Sequence, residues 1–159
     1  MTSLAEIIVK NLAEKNLHIT LAESLTGGLV AECIVRVPGA SAVLWGSFVS
    51  YTNNAKIKML GISEELIKKH GPVSSPIAIA MAEGALDKSG ADLALSITGL
   101  AGPDGDGTGV PVGTVWIGLA RKEASSSFAQ SFAFTGSRNE VREAAASAAL
   151  KLLLDYIIQ

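Results

Sequence analysis

Hydrophobic positions recur at helical spacing along residues 2–16, where Leu4, Ile7, Ile8 and Leu12 share one face. Residues 17–21 change to a period of two, with Leu17, Ile19 and Leu21 alternating with His18 and Thr20, and predict a strand. That strand runs into Glu23-Ser24-Leu25-Thr26-Gly27-Gly28. Leu25, Leu29, Cys33, Ile34 and Val37 then suit the buried face of a helix ended by Pro38-Gly39. Residues 42–51 are strand-like, with Gly46 as a bulge. Thr52 or Asn53 caps a short helix carrying Lys56, Met59 and Leu60. Ser63-Glu64-Glu65 opens another helix with acids at its positive end, and His70-Gly71-Pro72 closes it. Ser75-Pro76 opens a third, with proline at its first position.

The short apolar run 91–98 predicts a buried strand, and the glycine-rich stretch from Gly99 to Gly113 predicts neither helix nor strand. Val115, Ile117 and Leu119 mark a further strand, and Phe128, Phe132 and Phe134 another after a short polar link. So short a link favours an antiparallel hairpin, because a parallel crossover needs about a dozen residues. Residues 138–158 read as a closing helix with Val141, Ala145, Ala148 and Leu152 inward. This order predicts an α/β chain, a three-layer α/β/α sandwich around a mixed β-sheet, folded as a single domain over residues 1–159.

The chain of 159 residues is 48% hydrophobic and only 18% charged, with a net charge of −2. No basic stripe of the kind that grips nucleic acid is present. No apolar run approaches the ~18 residues of a membrane span, and the acidic, helix-periodic beginning does not read as a signal peptide. One cysteine, Cys33, and two histidines give no disulfide and no metal-ligand spacing. A cytoplasmic protein without metal or cofactor is expected. The low charge and a mean hydropathy of +0.38 suggest a covered surface, as in a homodimer.

Four segments carry candidate chemistry. In Ala22–Gly28 a strand delivers Ser24 to the mouth of a helix, where backbone N–H groups hold anions and glycines allow close approach. Ser24 or Thr26 is there either a nucleophile or a helix cap. Lys56 lies one turn into the next helix, where burial and the helix dipole favour a neutral amine able to serve as a base; the alternative is a solvated lysine. Ser96–Gly105 leads a buried strand into a glycine loop suited to phosphate or ribose, or simply to a flexible connection. Arg138 and Arg142, one turn apart, either clamp a phosphate or pair with Glu140 and Glu143.

AESLTGGLVA at 22–31, GSFVSYTNNAKIKMLGI at 46–62, GPVS at 71–74, SITGLAGPDG at 96–105 and PVGTVWIGLA at 111–120 together resemble the CinA C-terminal domain family. This is the competence/damage-inducible domain that includes nicotinamide-nucleotide amidohydrolases. The resemblance implies a three-layer α/β/α fold, often dimeric, and hydrolysis of nicotinamide mononucleotide to nicotinate mononucleotide and ammonia. Longer relatives carry an N-terminal pyrophosphatase-like domain whose activity is not expected here. Leu25 stands where many relatives have cysteine, and Asp104–Val110 falls in a variable insertion. On this reading Ser24 attacks the carboxamide, neutral Lys56 takes its proton and Tyr51 relays or positions it. Thr26, with N–H groups near Gly27 and Gly28, steadies the oxyanion, and Thr26 is the reserve nucleophile. Thr98, Gly99 and Gly102 line the nucleotide side and Arg142 holds the phosphate. The alternatives are a sensor that binds ADP-ribose or a pyridine nucleotide without turnover, and a purely structural dimer unit.

Overall fold

The computed structural model describes residues 3–159. The elements run α1 (Leu4–Glu14), β1 (Ile19–Glu23), α2 (Leu29–Val35), β2 (Leu44–Val49), α3 (Asn53–Leu60), α4 (Glu64–His70), α5 (Ser75–Ser89), β3 (Leu93–Gly99), β4 (Thr114–Arg121), β5 (Phe128–Ala133) and α6 (Arg138–Ile157). The expected α/β class and mixed sheet are both present. The strand order is β2-β1-β3-β4-β5, with β1 parallel to β2 and β3, and with β4 antiparallel to both β3 and β5. Thr2, included in the first expected helix, lies outside the described residues.

Thr52 and Ser63 cap their helices as expected, each accepting a backbone N–H in the first turn, and Ser3 and Ser137 do the same for α1 and α6. Pro76 sits in the first turn of α5, and left-handed Gly90 ends it. Helix α2 begins later than its apolar spacing suggests. Gly27 and Gly28 take φ of +59° and +102°, so 25–28 form a turn and the helix starts at Leu29. The bulge in β2 is real: Ile19 pairs with Leu44 and Thr20 with Gly46, so the register skips Trp45.

Alternation along the strands builds two unequal faces. Ile19 and Leu21 of β1, Leu93, Leu95 and Ile97 of β3, and Val115, Ile117 and Leu119 of β4 face one core with α1, α2 and α6. Fully burying each such side chain is worth about 1.5–3 kcal/mol. The opposite positions are small, among them Ala22, Ala94, Ser96, Gly118 and Ala120, and α5 packs against them with Ile77, Met81, Ala82 and Ala85. A Cβ on Gly118 would stand 2.5 Å from the Ala78 carbonyl oxygen, which shows how closely α5 approaches the sheet. Ser96 Oγ donates to that same carbonyl. The sheet thus uses bulk on one side and close approach on the other.

Gly84 repeats this constraint on the outer side of α5, because a Cβ there would lie 2.2 Å from the Leu60 carbonyl oxygen of α3. Helix propensity alone would make Gly84→Ala stabilising by about 1 kcal/mol. Overpacking against an immobile backbone carbonyl reverses the sign and lowers unfolding free energy by about 1–3 kcal/mol. Urea denaturation measures it; an unchanged or raised midpoint would contradict this close packing.

Candidate active site

Strands β1, β2 and β3 are parallel, so their carboxyl ends meet at one edge of the sheet, the place where open α/β folds present ligand sites. Ser24 follows β1 directly, and its N–H donates to the Ile97 carbonyl of β3 at 2.9 Å. Ser50 and Tyr51 follow β2, and the Ser50 N–H reaches back to the Glu23 carbonyl at 2.9 Å. Helix α3, capped by Thr52, then carries Lys56 inward. Lys56 is only 2% exposed, whereas Lys58 on the same helix faces solvent.

Lys56 Nζ lies 3.0 Å from Ser24 Oγ and 3.2 Å from the Ser50 carbonyl oxygen. No acid pairs with it among the described residues. Burial without a counter-charge pushes its pKa down from 10.5 to about 8. A neutral amine here donates to Ser50 and turns its lone pair to the Ser24 proton. A protonated one donates to Ser24 Oγ instead, while the Tyr51 carbonyl, 3.5 Å away, is the hydroxyl's other neighbour. The pair forms part of the wall of a cavity of about 360 Å³, within the usual range for small-ligand sites. Thr98, Gly99 and Gly102 line it too, together with Asp104, Asp106 and Arg138. Thr98 Oγ1 donates to the Pro72 carbonyl at 2.8 Å, so its hydroxyl meets a ligand as an acceptor.

Other expected site residues are placed differently. The Gly27 N–H donates to the Ser24 carbonyl at 3.0 Å and the Gly28 N–H to Glu23 Oε2 at 3.0 Å, so neither is open to an oxyanion. The Ser24, Leu29, Val30 and Ala31 N–H groups are likewise engaged. That leaves the Leu25 and Thr26 N–H groups without an acceptor among the described residues. The Thr26 side chain is fully buried, its Oγ1 has no partner among the described residues, and it does not line the cavity. This removes the geometry that a reserve nucleophile needs. Arg142 does not face the cavity either. It donates to the Leu25 and Thr26 carbonyls at 2.9 and 3.0 Å and to Asn139 Oδ1, which makes it a brace for the turn. Arg138 is the cavity's arginine, donating to the Gly102 carbonyl at 2.7 Å and the Tyr51 hydroxyl at 2.6 Å. The Tyr51 phenol therefore engages Arg138 rather than Ser24 or Lys56.

Sequence reasoning passed over Glu23. It continues the inward parity of Ile19 and Leu21, so a carboxylate at a core position was the available signal.

Residues 1–157 match the model of the CinA C-terminal domain. The chain belongs to the CinA C-terminal domain family. A relative from Caldicellulosiruptor bescii, described as competence-damage inducible, is 46% identical over 98% of this chain. A CinA-like protein from Chlorobium limicola is 42% identical over 98% of the chain. The chain spans only 37% of the length of each of these relatives. Among solved structures, the competence/damage inducible protein CihA from Agrobacterium tumefaciens superposes with a TM-score of 0.92 at 36% identity, covering 98% of this chain and 94% of that one. A CinA superfamily protein from Klebsiella pneumoniae gives 0.93 at 30% identity, covering 98% and 96%. Among the described residues no helix is long and apolar enough to cross a membrane, and no three His, Cys, Asp or Glu side chains gather as metal ligands would.

The buried lysine has a measurable cost. Between about pH 8 and 10.5 the unfolded chain holds a proton that the folded chain has released, so stability rises with pH across that window. Below it the fold carries the full penalty of roughly 3 kcal/mol. Lys56→Met relieves that penalty but strands the Ser50 carbonyl, at about 1 kcal/mol. The variant should be more stable than the parent at pH 7 by about 1–2 kcal/mol, with the gap closing toward pH 10.5. Melts across this range test the point; a variant destabilised at pH 7 would contradict it.

Proposed function

We propose that this domain is an amidohydrolase in which Ser24 and Lys56 hydrolyse the carboxamide of nicotinamide mononucleotide. The observation that carries the reading is the 3.0 Å approach of a buried, charge-depressed lysine to a serine at a cavity wall. Family membership supports it, since the family includes nicotinamide-nucleotide amidohydrolases.

Ser24 Oγ attacks the carboxamide carbon while its proton passes to Lys56 Nζ. The Leu25 N–H, on the cavity wall and belonging to the residue after the nucleophile, is the donor left for the oxyanion. The tetrahedral intermediate collapses as Lys56 returns the proton to the leaving nitrogen, and ammonia departs. Water then attacks the nicotinoyl ester, giving its proton to Lys56. Lys56 reprotonates Ser24 and nicotinate mononucleotide leaves. A lysine with a pKa of about 8 suits both roles near neutral pH.

The phosphate belongs at Arg138. This guanidinium faces the cavity and has donors to spare beyond those given to Gly102 and Tyr51. Asp104 and Asp106 make their part of the wall repulsive to a phosphate, and their carboxylates suit ribose hydroxyls or the pyridinium charge instead. Tyr51 holds Arg138 in place.

Purified protein given nicotinamide mononucleotide should release ammonia. Binding heat without ammonia would make it a nucleotide sensor. Ser24→Ala and Lys56→Met should each remove most turnover, and their combination should be little worse than either, because groups acting as a unit are non-additive. Lys58→Met should be nearly silent. Turnover should fall on the acid side with a midpoint near pH 8, as Lys56 takes up a proton. A folded Ser24→Ala variant with near-normal turnover would end the mechanism. Arg138→Ala should weaken the mononucleotide more than its dephosphorylated riboside, by about 1.5–3 kcal/mol. Equal losses for both ligands, measured by calorimetry, would remove the phosphate from Arg138.

A further inference from the structure

Glu23 is the last residue of β1 and the immediate neighbour of Ser24, and it is fully buried. Its carboxylate accepts four hydrogen bonds. Oε2 takes the Gly28 and Val30 N–H groups at 3.0 and 3.1 Å. Oε1 takes the Ala31 N–H at 2.9 Å and the Ser47 hydroxyl at 3.1 Å. Helix α2 has no side-chain cap of its own, since the residue at its cap position is Gly28. One carboxylate on β1 therefore ties together the start of α2 and the neighbouring strand β2.

The Ser24 turn is threaded between these attachments. Its entry is anchored at Glu23 and its exit at Gly28, both through the same carboxylate. Ser24 lies only five residues before Leu29, the first residue of α2, so any shift of that helix start moves the serine relative to Lys56. Lys56 is carried by the segment leaving β2, the strand that Ser47 joins to Glu23. The carboxylate thus joins the two elements that bring nucleophile and base together, without lining the cavity.

We propose that Glu23 is a positioning residue for Ser24, an internal cap that sets the serine's attack geometry while touching no substrate. The proposal rests on the Ser24–Lys56 reading. In Glu23→Gln either orientation of the amide points an N–H₂ at a backbone N–H, donor against donor. Ser47→Ala removes one of the four donors and leaves the rest.

A fluorophosphonate probe reads serine nucleophilicity independently of any natural substrate. Intact-mass spectrometry on the full chain follows the rate of labelling, at a temperature where melts show each variant folded. Wild-type protein should label at Ser24, and Ser24→Ala should not. Glu23→Gln should label at least tenfold more slowly, Ser47→Ala severalfold more slowly, and Glu32→Gln, on the solvent side of α2, at the wild-type rate. With nicotinamide mononucleotide as substrate, the two slowed variants should lose kcat and keep KM. A folded Glu23→Gln protein that labels at the wild-type rate, or loses only KM, overturns the proposal. Should Glu23→Gln fail to fold, a wild-type labelling rate in Ser47→Ala does the same. Absence of Ser24 labelling in the wild type itself would refute the nucleophile, and this proposal with it; labelling that ignores Glu23 would refute the positioning role alone.

Discussion

A lysine held out of water beside a serine is the constraint around which this site is arranged. Removing an ammonium from solvent is unfavourable, and with no carboxylate beside it that cost appears as a lowered pKa, the amine holding its proton less tightly than a solvated lysine does. An acid within reach would have raised the pKa and left a charged, inert ion pair. The one acid adjacent in sequence to Ser24 is instead saturated by three backbone N–H groups and a serine hydroxyl. The separation of these two groups, Glu23 engaged in structure and Lys56 without a partner acid among the described residues, is what lets burial lower the Lys56 pKa to about 8.

The sheet makes this arrangement possible. Its three parallel strands deliver Ser24, the Ser50–Tyr51 corner and the glycine loop to one edge. The bulky face of the sheet anchors α6, whose Arg142 grips the Ser24 turn from outside. From the same helix Arg138 crosses the cavity mouth to Gly102 and Tyr51. Two arginines one helical turn apart are thus placed differently: one braces the Ser24 turn and the other lines the cavity.

Periodicity and capping residues made most of the fold legible. The Ser-Pro start of α5, the hairpin of β4 and β5, and the Gly46 bulge are local signals with local causes. The start of α2 was not, because Leu25 fits a helical face yet is buried from within a turn. In the site, Ser24 and Lys56 stood out by their placement after a strand and inside a helix. The roles of Gly27, Gly28 and Arg142 did not, since they depend on which acceptors lie nearby in space. Spacing shows that Arg138 and Arg142 share a face, but only the packing of α6 over the 24–26 turn shows that Arg142 is consumed there. Glu23 was concealed by its neighbour, because a motif read for its serine draws attention away from the acid before it.

The central claim is that burial beside Ser24 lowers the Lys56 pKa to about 8, so that a share of the neutral amine is present near physiological pH. Its titration tests this most directly. In protein labelled with ¹³C-lysine, one ε-methylene resonance absent from the Lys56→Met spectrum should shift with a midpoint near pH 8. A Lys56 resonance that moves only above pH 10, as an ordinary lysine does, would contradict the account.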